Sequence, residues 1–251
     1  MTDYIEKNKA TIQRWIEAGW QWGQPIDHDT FIRAQHGDVN LVLTPTVPVP
    51  MNWFGDLSGK TVLGLAAGGG QQGPLLTAMG AQVTIIDFSP QQLASEQLVA
   101  EREGYQITMI QADITQPLPF ANNSFDMIVH PVSNVYMQDV RPIWQEAARI
   151  LKPGGTILSG LDNGVNFMVD NQEERIVNQF PFNPLIHPEQ MAQLAADDSG
   201  VQFSHTLEDQ IGGQLAAGLR LLDVYEDTNG SGRLENLHIP TFFATRSLKP
   251  A

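Results

Sequence analysis

The sequence predicts a doubly wound α/β fold, a mostly parallel sheet with helices on both faces. Three observations predict it. From Lys60 onward, apolar runs of strand length alternate with helical text. The first of these runs, TVLGLAA, closes on the glycine-rich GGGQQG of Gly68 to Gly73. The chain ends on two strand-like runs, LRLLDVYED and IPTFFATRS, joined by the turn-rich TNGSGRLENLH. A length of 251 residues suits one such domain with appendages better than two independent domains.

Residues 4–22 place Ile5, Ile12, Trp15, Ile16 and Trp20 near helical spacing, which predicts an N-terminal amphipathic helix. The Pro-rich TPTVPVP then connects it to a turn near Asp56. TVLGLAA reads as the first strand, GPLLTAMG as a helix, QVTIIDFS as a second strand and QQLASEQLVAEREG as a helix stopped by glycine. ITMIQADI and FDMIVHP give two more strands; VRPIWQEAARIL gives a helix, KPGG a turn and TILSGL a fifth strand. Right-handed crossovers then make these five parallel. The Asn-, Pro- and Gln-rich text of residues 161–205 breaks the rhythm and reads as an insertion with one helix over Pro188 to Ala196. The expected division is an N-terminal helical cap (1–56), a cofactor-binding core (57–161), a substrate-side insertion (162–218) and a closing hairpin (219–251).

Composition narrows the function classes. A hydrophobic content of 42% with 17% charged residues belongs to a folded globule. The net charge of −14, with Lys and Arg scattered, disfavours nucleic acid and anionic lipid as partners. No cysteine is present, so thiolate nucleophiles, thiolate metal sites and disulfides are excluded together. The opening MTDYIEKNKATIQRW has no apolar signal core, and no run reaches about 18 apolar residues, so the expected location is the cytoplasm. The sequons at Asn122 and Asn229 are chance matches in that setting.

Several motif-like stretches fail on spacing. GDLSGKT (Gly55 to Thr61) has three residues between its glycines where a phosphate loop needs four, and it precedes its strand instead of following it. The stretch from Asp227 to His238 resembles a calcium loop at first, but ends on histidine where a bidentate glutamate belongs. The six histidines lack ligand spacing, so no metal site is expected.

GGGQQG is literally a G-x-G-x-x-G, and Asp87 follows about 20 residues on, as in a dinucleotide fold. An NAD-linked oxidoreductase is therefore one reading. Asp113, at the end of the third strand, separates the alternatives: a carboxylate there meets the exocyclic amine of an adenine lying in the same crevice as a ribose held by Asp87.

VLGLAAGGG, IIDFS, QADI, SFDMIVHP and ARILKPGG, in this order and spacing, resemble the motif series of class I S-adenosylmethionine-dependent methyltransferases, nearest the ubiquinone and menaquinone branch. The resemblance is strong from Lys60 to Leu161 and weak beyond. It implies a Rossmann-like, seven-stranded sheet with an antiparallel C-terminal strand, S-adenosylmethionine as cofactor and a small-molecule methyl acceptor. It also implies a cofactor site formed by Ala66, Ala67, Gly68, Gly69, Gly70, Asp87, Phe88, Ser89, Ala112, Asp113, Ile114 and His130. Gly64 and Ala66 depart from the family's usual acid and first glycine; alanine is tolerated there at negative φ.

His130, after the fourth strand, is read as a general base, as a residue lining the cofactor pocket, or as a structural histidine. Asn134 and Tyr136 are candidate acceptor contacts. Trp15, Trp20 and Trp22 form either an aromatic wall for a hydrophobic or cationic acceptor or a packing face. A non-catalytic S-adenosylmethionine-binding protein is the third reading, and the sequence does not fix the oligomeric state.

Overall fold

The computed structural model describes residues 3–251; Met1 and Thr2, the first two positions of the expected cap, lie outside the described residues. The chain opens with helices α1 (Asp3–Glu17) and α2 (His28–Gln35). The core follows as β1 (Thr61–Leu65), α3 (Gln72–Ala78), β2 (Gln82–Asp87), α4 (Pro90–Glu103), β3 (Thr108–Gln111), β4 (Phe125–His130), α5 (Arg141–Ile150) and β5 (Leu151–Asp162). Then come α6 (Val165–Met168), α7 (Pro188–Ala196), α8 (Gly213–Ala216), β6 (Arg220–Asp227), α9 (Gly232–Asn236) and β7 (Phe242–Leu248).

The strands form one seven-stranded sheet in the order β3-β2-β1-β4-β5-β7-β6. Pairing is parallel from β3 to β5, and β7 runs antiparallel to both β5 and β6. The order reverses between β1 and β4, so the carboxyl ends of these strands open a crevice where such sheets bind ligands. Alternation along β1 shows why both faces are covered. Leu63 and Leu65 pack with Ile86, Ile128 and Trp144 of α5, whereas Val62 packs with Ile85, Val129 and Leu76 of α3.

Local chemistry fixes the helix ends near the crevice. Ser89 Oγ accepts from Gln92 N, Pro90 occupies the first turn of α4, and Gly104 closes it at φ 72°. Helix α2, within the expected N-terminal cap but before TPTVPVP, starts because the Asp27 side chain accepts from Thr30 N at 2.8 Å.

Three expectations are corrected. The N-terminal helix ends at Glu17, because Gly19 turns the chain at φ 87°, and only a short 3₁₀ turn (Gln21–Gly23) follows. KPGG belongs to β5, whose pairing with β4 is irregular between Phe125 and Met127. No helix connects β3 to β4 among the described residues 112–124. The stretch that resembled a calcium loop begins at Asp227, whose carboxylate accepts from Thr46 N at 2.8 Å and Val47 N at 3.0 Å. It pins the N-terminal connection to the hairpin. Cluster Tyr4, Ile5, Val201 and Phe203 joins α1 to the insertion, so both segments lean over the same crevice.

Candidate functional site

A cavity of about 830 Å³ lies beyond the carboxyl ends of the strands. That is near the upper end of the size of a site for one drug-sized ligand, so a nucleoside cofactor and a second molecule can share it. One wall is the core: Ala66 and Gly68 after β1, Asp87 at the end of β2 and Phe88 just after it, and Pro131 to Ser133 after β4. The facing wall comes from outside it: Trp15, Trp20 and Trp22 from the N-terminal segment, with Phe167, Phe182 and Leu194 from the insertion. A smaller adjoining pocket of about 40 Å³ is lined by Asp113, Ile114 and Met137, and shares Ala66, Phe88, Ser133 and Tyr136 with the large one.

Asp87 is 4% exposed. One oxygen accepts from Gly68 N at 3.1 Å, the other from Ser89 N at 2.9 Å. Burial pushes its pKa up to about 6, against the opposing pull of these N–H donors. Each carboxylate oxygen has a further lone pair, so this pair of acceptors fits a ribose diol presented from the cavity. The loop before it runs close to α4: a Cβ on Gly68 would sit 2.6 Å from Gln92 Cβ and 3.0 Å from Asp87 Oδ2. Gly69 has φ 115° and Gly70 φ 71°.

The two departures at the start of this loop have different structural answers. At Gly64 the end of the Ile85 side chain fills the space a Cβ would take, so an acid there would require Ile85 to move. Ala66 adopts φ 49°, against the negative φ expected of it, and so carries the local strain that a glycine would avoid.

A carboxyl reaches the loop instead from α4. Glu96 is fully buried, and its Oε1 accepts from Gly70 N at 2.7 Å. Its Oε2 has no hydrogen-bond partner and faces Gly73, where a Cβ would collide with it. Burial, with a smaller contribution from Asp87, pushes the Glu96 pKa up to about 8, so the group is mostly protonated at neutral pH. The sequence reading missed Glu96, although helical spacing puts it on one face with Gln92, Val99 and Ala100, all buried.

His130 stands apart from the general-base expectation. It is fully buried and is not among the cavity-lining residues. Its Nδ1 donates to Leu65 O at 2.8 Å, its Nε2 meets the Asn134 side-chain amide at 2.7 Å, and Trp144 packs edge-on at 6.1 Å. Burial lowers its pKa. With both nitrogens engaged, the ring ties β4 to β1. Asn134 is likewise buried and bonded to Gln210, which continues to Asp162 O.

Of the other expected residues, Ala66, Gly68, Asp87, Phe88, Trp15, Trp20, Trp22 and Tyr136 line the large cavity, and Asp113 and Ile114 the small one. Asp113 Oδ1 accepts from Thr115 N and Thr115 Oγ1, so part of its capacity closes its own turn. Ala67, Gly69, Gly70, Ser89 and Ala112 do not line either pocket. Ser89 caps α4, Ala112 packs against the core, and the two glycines shape the loop: Gly69 N donates to Gln92 O and Gly70 N to Glu96.

Comparison with known proteins agrees with this geometry. Residues 63–159 match a methyltransferase domain family. The chain is 36% identical to an uncharacterized methyltransferase of Bacillus subtilis, YbaJ, over 99% of its own length and 100% of the relative's. It is 33% identical to a demethylmenaquinone methyltransferase of Thermus thermophilus, over 39% of this chain and 46% of that one. The fold is shared with an S-adenosylmethionine-dependent methyltransferase from Mesorhizobium loti, at 18% identity and TM-score 0.62, covering 78% of this chain and 94% of that one. The chain belongs to the class I S-adenosylmethionine-dependent methyltransferases. Its likeness to YbaJ spans the whole chain, whereas that to the quinone enzyme is confined to 101 residues.

Proposed function

We propose that this methyltransferase acts on a small molecule bound between the strand ends and the wall made by the N-terminal segment and the insertion. The observation that carries the reading is the two-sided cavity. On the core side are a buried carboxylate and a glycine-rich turn; on the facing side are three tryptophans and the insertion, leaving room for a second ligand.

The core side holds the cofactor in this reading. Asp87 accepts hydrogen bonds from the ribose hydroxyls, Gly68 permits close approach, and Phe88 and Ile114 flank the adenine, with Asp113 at its amine edge. When bound, the cofactor supplies a sulfonium-activated methyl group. The chain's own contribution is to orient the acceptor, exclude water behind the Trp15–Trp20 pair and present Tyr136 and Ser133 between the two ligands. His130 holds the floor of the site instead of moving protons, through Leu65 and Asn134.

No helix among the described residues is long and apolar enough to cross a membrane. We infer that the protein works in the cytoplasm on soluble metabolites. A screen of metabolites with methyl-labelled cofactor tests the function: label should appear in one small-molecule class, and label confined to protein or nucleic acid would refute it.

A further inference from the structure

We propose that the methyl acceptor is an amine, captured as its ammonium ion by an acidic and aromatic cavity wall. The inference rests on reading this cavity as the methyl-transfer site. Five carboxyl residues line it, Asp87, Asp162, Asp170, Glu173 and Asp197, and no Lys, Arg or His does among the described residues.

None of the five takes part in an ion pair among the described residues. Elsewhere acids do find cations, as Asp126 does with Lys152 at 2.8 Å and Asp209 with Arg141 at 2.6 Å. The partners inside the cavity are neutral donors. Asp170 Oδ1 accepts from Glu174 N at 2.8 Å, Glu173 Oε2 from Leu234 N at 2.6 Å, Asp197 Oδ1 from Asn171 Nδ2 at 3.1 Å and Asp162 Oδ2 from Asn166 Nδ2 at 3.3 Å. Such bonds orient a carboxylate but leave its charge, and a concave wall concentrates the resulting field.

Three of these acids, Asp170, Glu173 and Asp197, belong to the insertion, away from the glycine-rich loop that the cofactor needs. They therefore act on the second ligand. A phosphate or carboxylate acceptor would be repelled, and an apolar one would strip water from charges it could not satisfy. An ammonium satisfies them, and it also suits the faces of Trp15 and Trp20, whose ring centroids lie 5.2 Å apart.

The ammonium must lose its proton before nitrogen can attack. Asp162 is placed for this: it ends β5, is 3% exposed, and lines the cavity. Burial pushes its carboxyl pKa up to about 7, a proton affinity suited to a base at neutral pH. In the transfer the nitrogen lone pair forms the new N–C bond, the C–S bond breaks with its electron pair passing to sulfur, and the nitrogen's proton goes to the Asp162 carboxylate.

The test uses the full chain with S-adenosylhomocysteine bound, titrated by calorimetry with three probes sharing one frame: phenethylamine, phenethyl alcohol and hydrocinnamate. The ammonium should bind at least about tenfold more tightly than the carboxylate, with the alcohol between them. The preference should shrink at high salt and in Asp162→Asn. Asp197→Asn, at an exposed position, gives the same trend without disturbing the buried wall. Equal binding of the three probes, or preference for hydrocinnamate, overturns the proposal. The preceding titration with S-adenosylhomocysteine separates the two levels: no binding there sinks the methyltransfer site itself, whereas binding without ammonium preference sinks only the acceptor class.

Discussion

The two walls of the cavity are built in different ways. The core wall is made of residues close together at strand ends: Ala66 and Gly68 follow β1, shaped by the glycines beside them, and Asp87 ends β2 with Phe88 just after it. Backbone geometry places them, and the hydrogen bonds between them run largely to main-chain N–H groups. The facing wall gathers residues from α1, the insertion and β7, which meet only after the chain has folded. Phe182 exemplifies it: 1% exposed, packed on Phe167 at 5.2 Å, with its N–H bonded to Ser204. In the proposed reading the first wall serves the cofactor, and the second, built from segments outside the core, sets the acceptor.

The largest expected effect separates the walls by stability. Phe182→Ala should cost about 3–5 kcal/mol in chemical denaturation, because it opens a cavity in packed aromatics, yet leave S-adenosylhomocysteine affinity within about twofold. A parallel loss of cofactor affinity would show the walls to be one cooperative unit.

Next is the reverse case. Asp87→Ala should weaken S-adenosylhomocysteine binding by about ten- to a hundredfold, the scale of hydrogen bonds to a charged group. Asp87→Asn, which keeps the shape, should lose less. Unchanged affinity by calorimetry would refute the ribose assignment.

A third effect appears as pH dependence. Glu96 has a folded pKa of about 8 and Asp162 of about 7, both raised by burial. The folded state therefore binds more protons than the unfolded one between pH 6.5 and 8, and stability must fall as pH rises through this window, by about 1.4 kcal/mol per pH unit for each fully displaced group. Below pH 6.5 the buried His130 and His205, whose pKa values are lowered, act in the opposite sense. Glu96→Gln should flatten the slope above pH 6.5 in urea titrations; an unaltered slope would mean that Glu96 is ionised under the loop.

The smallest effect concerns the strained alanine. Ala66→Gly should raise stability by up to about 1 kcal/mol, because φ 49° costs alanine more than glycine. A destabilised variant would mean that the Ala66 methyl packs more than it strains.

The same contrast explains what the sequence disclosed. The strands of the core were legible because apolar runs and glycine stops are local, and α7 falls on the expected Pro188 to Ala196 because its proline marks the start. Asp87 and Phe88 were legible as residues ending a strand. Glu96 was not singled out: beside it Gln97 and Glu101 pair on the exposed side of the same helix, so the text reads as a solvated charge run until the helix face is assigned. The role of His130 depended on which way its ring turns, and that is decided by Leu65 and Asn134, one of them 65 residues away. The acidic lining was invisible for the same reason, since Asp162, Glu173 and Asp197 are separated in the chain and share only the cavity.

The most direct measurement is calorimetric titration of the protein with S-adenosylhomocysteine and, separately, with NAD. The cofactor wall described here predicts one equivalent of S-adenosylhomocysteine bound and no heat from NAD; binding of NAD alone would contradict it.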